Sequence, residues 1–501
     1  MTSLLFANEE NVNSYNRDSL VFKDLNLDNI IDEIVRYAKL FDIKDYFYKT
    51  LKTKDDVLYR HEVFKDLESQ ELFDLLNLFS YTLQRKLKDI DDSNKVKYDV
   101  YKKIKLKQKI EEYLSILSNF LEKISKLSYS SRAINNMVSY IKNYLDSEEV
   151  KFIINDMKII NEEMKNVKYR LYFYDGTIKI AKIEDEELLN EKIDSALDKY
   201  GCDEVIDFSR NYGSIPVHFL GQIYTELSKY YPREFKHLDL FSKHFKGFLD
   251  KTIIGFSNDI QFYIAYIEMQ KRIKTMGLSF TYPEITDSYA KCVGGYDLAL
   301  AQTFFIKERK IIVNDFLYDK DESVIVVSGP NQGGKTTFSR YVGQVFYMAA
   351  LGLPVVGCEA HLPLISRIFT MYEVEEESSN LNGKLKSELI RIKDIMDQME
   401  DNSLLIMNEV FASTSLDDGI ILGQKVIDMI HEHNSKALFV TFIEELSKYK
   451  GSVSMGSTVD KDNPSIRTFE ILRKLDNSNA YARSIAKKNN VSYEDIIRRI
   501  N

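Results

Sequence analysis

The stretch from residue 323 to residue 337 decides the fold of this chain, and it reads Ser-Val-Ile-Val-Val-Ser-Gly-Pro-Asn-Gln-Gly-Gly-Lys-Thr-Thr. Residues 323–327 are mostly apolar and rich in β-branched side chains, which predicts a short buried strand. Residues 338–351 are compatible with a helix. Between them, Gly329 and the run Gly334-Lys335-Thr336 match the pattern G-x-x-x-x-G-K-[ST]. This order of strand, loop and helix predicts a phosphate-binding loop.

The residue types in this loop suit a nucleoside triphosphate. Glycines let the backbone approach a phosphate closely, and the N–H groups at a helix N-terminus attract an anion. Lys335 would reach the β- and γ-phosphates, and the Thr336 hydroxyl is placed to ligate Mg²⁺. ATP and Mg²⁺ are therefore the predicted ligands, and the flanking strand and helix disfavour the alternative of a glycine turn without a ligand. The predicted nucleotide-binding residues are Gly329, Pro330, Asn331, Gln332, Gly333, Gly334, Lys335, Thr336 and Thr337.

A second apolar run, residues 403–409, ends in polar residues and predicts another strand. Glu409 at its end is the candidate catalytic residue, a general base that polarises the attacking water. The position before such a glutamate usually carries an aspartate that holds Mg²⁺ through its water shell, and here it is Asn408. An amide lacks the charge that favours a cation, so we expect slower hydrolysis or weaker Mg²⁺ affinity. The alternative is that Glu409 merely ends the strand.

Composition sets broad limits. Hydrophobic residues make up 44% of the 501 residues, which is typical of a globular protein with a sizeable core. The formal net charge of −9 disfavours a protein that simply coats nucleic acid, although a local basic face can still bind DNA. The N-terminus has no basic start followed by an apolar run, and no long apolar stretch occurs. We therefore expect a cytoplasmic protein without a membrane segment.

The first part of the chain reads mainly as helices. Residues 98–127 carry apolar side chains at helical spacing, together with a run of lysines. These lysines either contact phosphates or form a solvated helix face, and the second interpretation is favoured. Alternating segments at 168–174 and 177–183, joined by Asp175-Gly176, predict a β-hairpin. The lysines are Lys95, Lys97, Lys102, Lys103, Lys105, Lys107 and Lys109.

The loop and four further segments resemble the MutS family of DNA mismatch-repair ATPases. The family's nucleotide loops begin Gly-Pro-Asn, as residues 329–331 do here. The further matches are Leu351–Val356 after the loop helix, Asn408-Glu409 with Thr414-Ser415 and Asp418-Gly419, Leu438–Thr441, and Ala480–Ala486 with Val491-Ser492. The resemblance is specific over residues 300–501 and weaker upstream.

The resemblance implies an α+β multidomain protein. Residues 1–300 would form a mostly helical core and lever domain, with a clamp-like hairpin near 167–183. Residues 301–475 would form an α/β P-loop ATPase domain of the ABC type, and 476–501 a C-terminal helix-turn-helix. The family also implies a homodimer, in which Ser415 and Asp418 belong to the loop that faces the partner subunit.

The chain departs from the family at several positions. Phe442 stands where the family has a switch histidine, and it cannot hydrogen-bond a γ-phosphate. The segment Asn380–Gly383 with Glu388 stands where the family has its signature helix, without the Ser-Thr-Phe run. We expect no counterpart of the family's mismatch-reading domain, with its Phe-x-Glu wedge, before the core. Upstream of the phosphate loop, Phe120-Leu-Glu122 is the one plain match to that wedge, and its helical stripe favours ordinary packing.

Two functions remain open at this level. The first is an ATP-driven homodimeric clamp on duplex or branched DNA, acting in mismatch repair or recombination. The second is a nucleotide-dependent conformational switch that binds a protein partner and hardly hydrolyses ATP. The family resemblance favours the DNA clamp. Asn408, Phe442 and the negative net charge of the chain favour the conformational switch.

Overall fold

The structure is a computed structural model that describes residues 3–8, 10–93, 97–174, 177–182, 217–245, 248–287, 289–372, 381–411, 414–460, 463 and 466–473. Within these ranges the chain forms 14 α-helices and 16 strands. The helices are α1 (Leu20–Asp24), α2 (Leu27–Val35), α3 (Lys54–Asp66), α4 (Gln70–Ser93), α5 (Asp99–Ile124), α6 (Arg132–Leu145), α7 (Glu148–Lys165), α8 (Val217–Tyr230), α9 (Glu234–His244), α10 (Lys251–Lys274), α11 (Leu298–Lys307), α12 (Lys335–Ala350), α13 (Leu381–Gln398) and α14 (Leu416–Glu432). The strands are β1 (Val12–Ser14), β2 (Lys49–Leu51), β3 (Tyr169–Tyr174), β4 (Thr177–Lys182), β5 (Phe280–Thr281), β6 (Glu284–Thr286), β7 (Ala290–Gly295), β8 (Asn314–Tyr318), β9 (Val324–Ser328), β10 (Val355–Val356), β11 (Glu359–Pro363), β12 (Ile368–Tyr372), β13 (Leu404–Asn408), β14 (Lys436–Val440), β15 (Ser452–Val459) and β16 (Arg467–Arg473).

The described residues pack as two compact units. The first draws on Met1–Ser69, Ser130–Ile134 and Asn258–Asn501, and the second on Gln70–Tyr129 and Asn135–Ser257. This division does not coincide with the predicted boundary at residue 300, because the N-terminal segment groups with the C-terminal part. The assignment of functional domains to 1–300 and 301–475 stays a prediction. The predicted helix-turn-helix at 476–501 lies outside the described residues.

Buried hydrogen bonds explain why the N-terminal segment belongs to the first unit. Arg60 on α3 is fully buried, and its guanidinium donates to the Leu5 carbonyl at 2.9 Å and to the Leu351 carbonyl at 2.6 Å. Gln344 on α12 donates to the Leu25 carbonyl at 2.9 Å. A buried guanidinium without such partners would be strongly destabilising. Arg60 and Leu351 are 291 residues apart, so sequence periodicity gives no sign of this contact.

A six-stranded sheet is the largest described sheet of the first unit, with the strand order β12-β13-β14-β9-β15-β16. All neighbouring strands are parallel except β15 and β16. Every residue of β9, β12 and β13 is buried, which is the pattern of a parallel sheet covered on both faces. The predicted α/β architecture of this region is therefore confirmed, and the structure shows that its sheet is mainly parallel.

Helices complete this sheet and fix the position of its loops. One hydrophobic cluster joins buried residues of α13 and α14 to strands β9, β12, β13 and β14. α12, the helix predicted after the phosphate loop, is buried along nearly its whole length. The loops after β9, β13 and β14 leave the sheet at the same edge, because the three strands are parallel. Ligands of open α/β sheets bind at this carboxyl edge.

The first unit also contains strands that the helical prediction for residues 1–300 missed. β1 pairs with β2, β5 pairs with β10, and a four-stranded sheet has the order β6-β11-β7-β8. These strands are two to six residues long, so alternation over their length is too brief to separate them from loops. Periodicity detected the longer helices around them and not the strands themselves.

The second unit is mainly helical, as predicted. The Phe79 ring on α4 stacks on the Phe120 ring on α5, with the centroids 4.1 Å apart. Phe120 is buried, which confirms that Phe120-Leu-Glu122 is a packing segment. Strands β3 and β4 pair as an antiparallel hairpin, so the strands predicted on either side of Asp175-Gly176 are confirmed. The turn itself lies outside the described residues, and the clamp role of the hairpin stays a prediction.

Carboxylates neutralise two of the lysines on α5. Lys103 is ion-paired with Asp99 and with Asp239, the latter at 2.7 Å. Lys107 is ion-paired with Glu111 at 2.6 Å. For these two side chains the structure favours internal ion pairs over phosphate contacts. None of the described helices is long and apolar enough to cross a membrane.

Candidate nucleotide site

The predicted phosphate loop runs from the end of β9 to the start of α12. Gly329 and Gly334 have φ angles of 127° and 89°, which favour glycine over residues with a Cβ atom. A Cβ atom at Gly329 would also lie 2.4 Å from the Ser457 hydroxyl oxygen. Gly334 is the residue before the first turn of α12, so the helix N-terminus opens directly onto the loop. These features give the loop the shape that phosphate binding requires.

The Lys335 side chain lies folded over the loop. Its ammonium group donates to the Gly329 carbonyl at 3.0 Å and to the Pro330 carbonyl at 3.2 Å. A third, longer contact at 3.5 Å reaches the Asn331 side-chain oxygen. Burial lowers the pKa of this ammonium, the Glu409 carboxylate raises it, and the Arg467 charge lowers it. Phosphate oxygens would replace the carbonyl acceptors and favour the charged form.

Thr336 and Asn408 meet at the carboxyl edge of the sheet. The Thr336 hydroxyl donates to the Asn408 side-chain oxygen at 3.3 Å, although the two residues are 72 positions apart. Asn408 ends β13 and is buried. The predicted partners for a nucleotide-bound Mg²⁺ are therefore brought together.

Glu409 follows β13 in an unusual backbone conformation. Its φ angle is 60°, and its N–H donates to the Val440 carbonyl at 2.8 Å, which ties it to the end of β14. Left-handed conformations at residues other than glycine are uncommon and cluster at functional sites. Glu409 lines the same cavity as Lys335 and Thr336. The fold thus places an acidic residue beside the loop.

The cavity has a volume of about 440 Å³, within the range of small-molecule sites. Gln332–Thr337 and Glu409 line it, together with the polar residues Asp297, Lys310 and Asn314. Apolar residues also line it, and such side chains suit the flat face of a nucleobase. The apolar lining residues are Leu300, Phe304, Ile311, Ile312, Phe338 and Phe469.

Strand β16 contributes residues that sequence reasoning missed. Phe469 lines the cavity with a φ angle of 61°, an outlier within a strand. Asn314 on β8 holds this conformation, since its side chain donates to the Phe469 carbonyl at 3.2 Å and accepts from the Ile471 N–H at 2.6 Å. The Arg467 Nε–H donates to the Asn331 carbonyl of the loop at 3.3 Å. No local motif marks these residues, because their approach to the loop depends on the pairing of β15 with β9 and β16.

Comparisons with known proteins identify the family. The family model described as MutS domain V matches residues 325–499. A DNA mismatch repair protein MutS from Shouchella clausii is 31% identical over 175 residues, which covers 35% of this chain and 20% of that protein. The MutS protein of Alkaliphilus metalliredigens is 24% identical over 427 residues, which covers 77% of this chain and 47% of that protein. The MutS protein of Caldanaerobacter subterraneus subsp. tengcongensis is 24% identical over 452 residues, which covers 85% of this chain and 48% of that protein.

The chain belongs to the MutS family. In the longer alignments this MutS-family chain spans about half the length of the curated relatives it matches. The resemblance predicted from the loop and the segments after it is confirmed.

The MutS resemblance predicts that the loop with Ser415 and Asp418 faces a partner subunit. Within the single chain these two residues cap a helix. The Ser415 hydroxyl accepts from the Asp418 N–H at 3.2 Å and donates to the Asp418 carboxylate at 2.6 Å, which caps α14. Both side chains are exposed. Their role at a dimer interface stays a prediction, and Asn380 of the signature region lies outside the described residues.

A substitution at Asn408 tests whether this residue of the MutS-family protein acts on Mg²⁺. Asn408→Asp restores a carboxylate beside the Thr336 hydroxyl, so the Mg²⁺ concentration for half-maximal ATP turnover should fall on the order of tenfold. The measurement is a Mg²⁺ titration of ATPase activity. Thermal unfolding controls for loss of fold, since Asn408 is buried. An unchanged Mg²⁺ dependence in a folded variant would show that this position does not act on the ion.

Proposed function

We propose that this protein is an ATP-dependent DNA-binding ATPase that acts as a homodimeric clamp in DNA mismatch repair or recombination. The observation that carries the proposal is the convergence of Lys335, Thr336 and Glu409 on one cavity beside the phosphate loop. Family membership supports the DNA-directed part, since the relatives are named DNA mismatch repair proteins. Because the chain spans about half of those relatives, each part of the proposal has its own test.

The phosphates of ATP bind against the loop N–H groups and the N-terminus of α12. Lys335 turns from the Gly329 and Pro330 carbonyls to the β- and γ-phosphate oxygens, a small movement because these carbonyls belong to the same loop. The nucleobase lies against apolar lining residues of the cavity. The presence of both polar and apolar residues in the lining supports a ligand with charged phosphates and a flat base.

The Thr336 hydroxyl and, through water, the Asn408 amide oxygen would hold the Mg²⁺ that accompanies the nucleotide. The two oxygens fit this role, since they lie 3.3 Å apart at the carboxyl edge and both are hard donors. When bound, the ion neutralises charge on the β- and γ-phosphates. Both donors are neutral, so we expect weaker ion binding than an aspartate at position 408 would give.

Glu409 accepts a proton from the attacking water. Glu409 borders the cavity that Lys335 also lines, and its charge raises the pKa of Lys335, which supports a position close to the bound phosphates. The Glu409 backbone is fixed by its bond to the Val440 carbonyl, which holds the carboxylate at the edge of the sheet. The site therefore supports hydrolysis, at a rate limited by the neutral Asn408.

DNA binding is tested by fluorescence anisotropy with labelled plain duplex, mismatched duplex and four-way junction. We expect binding at low salt that weakens steeply as salt rises, because phosphate contacts release counterions. Addition of ATP should change the affinity, and light scattering with ATP should report a dimer. Wild type with ADP, and wild type without nucleotide, are the matched controls. Absence of binding to all three DNAs at low salt, with or without ATP, would overturn the clamp proposal.

The second candidate is a nucleotide-dependent switch that binds a protein partner with little hydrolysis. The Phe442 ring favours it, because it is 53% exposed and lies 4.9 Å from the Lys335 ammonium, where it offers no hydrogen bond to a γ-phosphate. ATP binding without turnover and without DNA binding would favour the switch. The Glu409 experiment in the Discussion separates the two candidates.

A further inference from the structure

A chain of two hydroxyl groups links strand β12 to the first turn of α12. The Ser339 hydroxyl donates to the Thr336 carbonyl at 2.9 Å, and its oxygen lies 2.7 Å from the Tyr372 hydroxyl oxygen. A serine hydroxyl has a single hydrogen, which the Thr336 carbonyl takes, so Tyr372 is the donor to Ser339. Both side chains are buried, which shields the two hydrogen bonds from water. Tyr372 therefore restrains the Thr336 backbone from outside the helix.

The same threonine is held from a second side. The Thr336 hydroxyl donates to the Asn408 side-chain oxygen at 3.3 Å. Tyr372 ends β12 and Asn408 ends β13, and the two residues are paired neighbours on these parallel strands. Two adjacent strand ends thus hold the carbonyl and the hydroxyl of Thr336. A serine that bonds a carbonyl of its own helix does not fix that helix against a sheet, whereas the Tyr372 contact does.

Contacts around the Tyr372 ring keep its hydroxyl in place. The Arg340 guanidinium lies 6.0 Å from the ring centroid, and its Nε–H donates to the Asp24 carbonyl at 3.0 Å. Thr370, two residues earlier on β12, donates to the Asp24 carboxylate at 2.6 Å. Burial raises the pKa of the Tyr372 hydroxyl, so this group keeps its proton and remains a donor at neutral pH. The elements β12, α12 and α1 are thereby joined around this ring.

We propose that Tyr372 is a positioning residue that acts through Ser339 to orient the Thr336 hydroxyl toward the Mg²⁺ of a bound nucleotide. This inference rests on the proposed nucleotide site and deepens it. A threonine side chain has one heavy-atom torsion, so the position of its backbone largely decides where its hydroxyl oxygen lies. Mg²⁺ demands near-ideal octahedral geometry with short bonds, so a small shift of one oxygen weakens binding. Because Asn408 carries no charge, the placement of the Thr336 hydroxyl matters more here than it would beside an aspartate.

Tyr372→Phe tests the proposal, because it removes one hydroxyl and keeps the ring. A fluorescent ATP analogue is titrated with Mg²⁺ present and again with EDTA, and the ratio of the two affinities measures the contribution of the ion. We expect this ratio to fall about 2- to 10-fold, the equivalent of one neutral hydrogen bond. The affinity in EDTA should stay at the wild-type value.

Ser339→Ala interrupts the same chain at its middle and should lower the ratio to a similar extent. The double variant should lose no more than the larger of the two single losses, because both substitutions break one path to Thr336. Additive losses would overturn the proposal, since they show that the two hydroxyls act separately. If Tyr372→Phe does not fold, the ratio measured for Ser339→Ala decides the question.

Tyr318→Phe is the matched control. The Tyr318 hydroxyl is buried and donates to the Ala437 carbonyl at 3.0 Å, near the start of β14 and away from the carboxyl edge of the sheet. This substitution also removes one buried hydrogen bond and should leave the ratio unchanged, and thermal unfolding without nucleotide reports whether each variant folds. An equal loss of affinity with Mg²⁺ and with EDTA in Tyr372→Phe would overturn the proposal, because it indicates general support of the loop. An unchanged ratio would overturn it too.

Titration of wild type distinguishes failure of this inference from failure of the proposed function. ATP binding that does not depend on Mg²⁺ would overturn the role of Tyr372 and leave the nucleotide site standing. Absence of ATP binding under both conditions would reject the nucleotide site, and the role of Tyr372 with it.

Discussion

Lys335→Ala should abolish ATP binding at concentrations that saturate wild type. Removal of the ammonium deletes two charge-assisted hydrogen bonds to phosphate, each worth about 1.5–3 kcal/mol. The expected loss of affinity is roughly 100- to 10,000-fold. Titration with a fluorescent ATP analogue measures it directly. The effect is larger than for any other single residue of the loop, because the other contacts come from backbone N–H groups that a side-chain substitution leaves in place.

Lys320→Ala is the control for Lys335→Ala, since Lys320 is an exposed lysine on the turn between β8 and β9. It makes the same change in net charge and should bind ATP like wild type. Thermal unfolding separates loss of a ligand contact from loss of fold, because Lys335 is buried and its removal leaves loop carbonyls without a donor. ATP affinity within about threefold of wild type in a folded Lys335→Ala variant would contradict the nucleotide site as we describe it.

Glu409→Gln should bind ATP normally and lose turnover. Loss of a general base lowers kcat by about 100- to 10,000-fold, and the amide keeps the size of the side chain. Steady-state phosphate release gives kcat, and the fluorescent analogue gives the affinity. Since the Glu409 charge raises the pKa of Lys335, a modest change in the pH dependence of ATP binding should accompany the substitution. Without that charge, Lys335 loses its proton at lower pH, so the decline of binding should begin at a lower pH than in wild type.

Glu445→Gln is the matched control for Glu409→Gln, because Glu445 is an exposed glutamate in the short turn Glu444–Lys448. It should retain wild-type turnover. Equal background rates in wild type and Glu409→Gln would show that the chain does not hydrolyse ATP through this residue. With ATP binding intact, that outcome supports the conformational switch and rejects the ATPase proposal.

Much of the candidate site could be predicted from short stretches of sequence. The loop at 329–337 and the strand that ends at Asn408 appear where their patterns predicted them. The prediction was weaker upstream, where residues 280–295 form strands although residues 1–300 were predicted to be mostly helical. Short strands carry little periodicity, and their existence depends on the partners they pair with. The helix α5 was predictable, since its apolar stripe repeats over many turns.

The sequence by itself determined the phosphate loop, because its chemistry is local. Neighbouring residues supply every part of it. They are the glycines at left-handed positions, a lysine and a hydroxyl at the start of the helix, and the helix N-terminus itself. Only the tertiary structure decided what surrounds that loop. Thr336 meets Asn408 through the order of the sheet, and Arg467 and Phe469 reach the site through the pairing of β15 with β16. Such contacts depend on strand order and register, which the packing of the whole unit sets, so no window of sequence contains them.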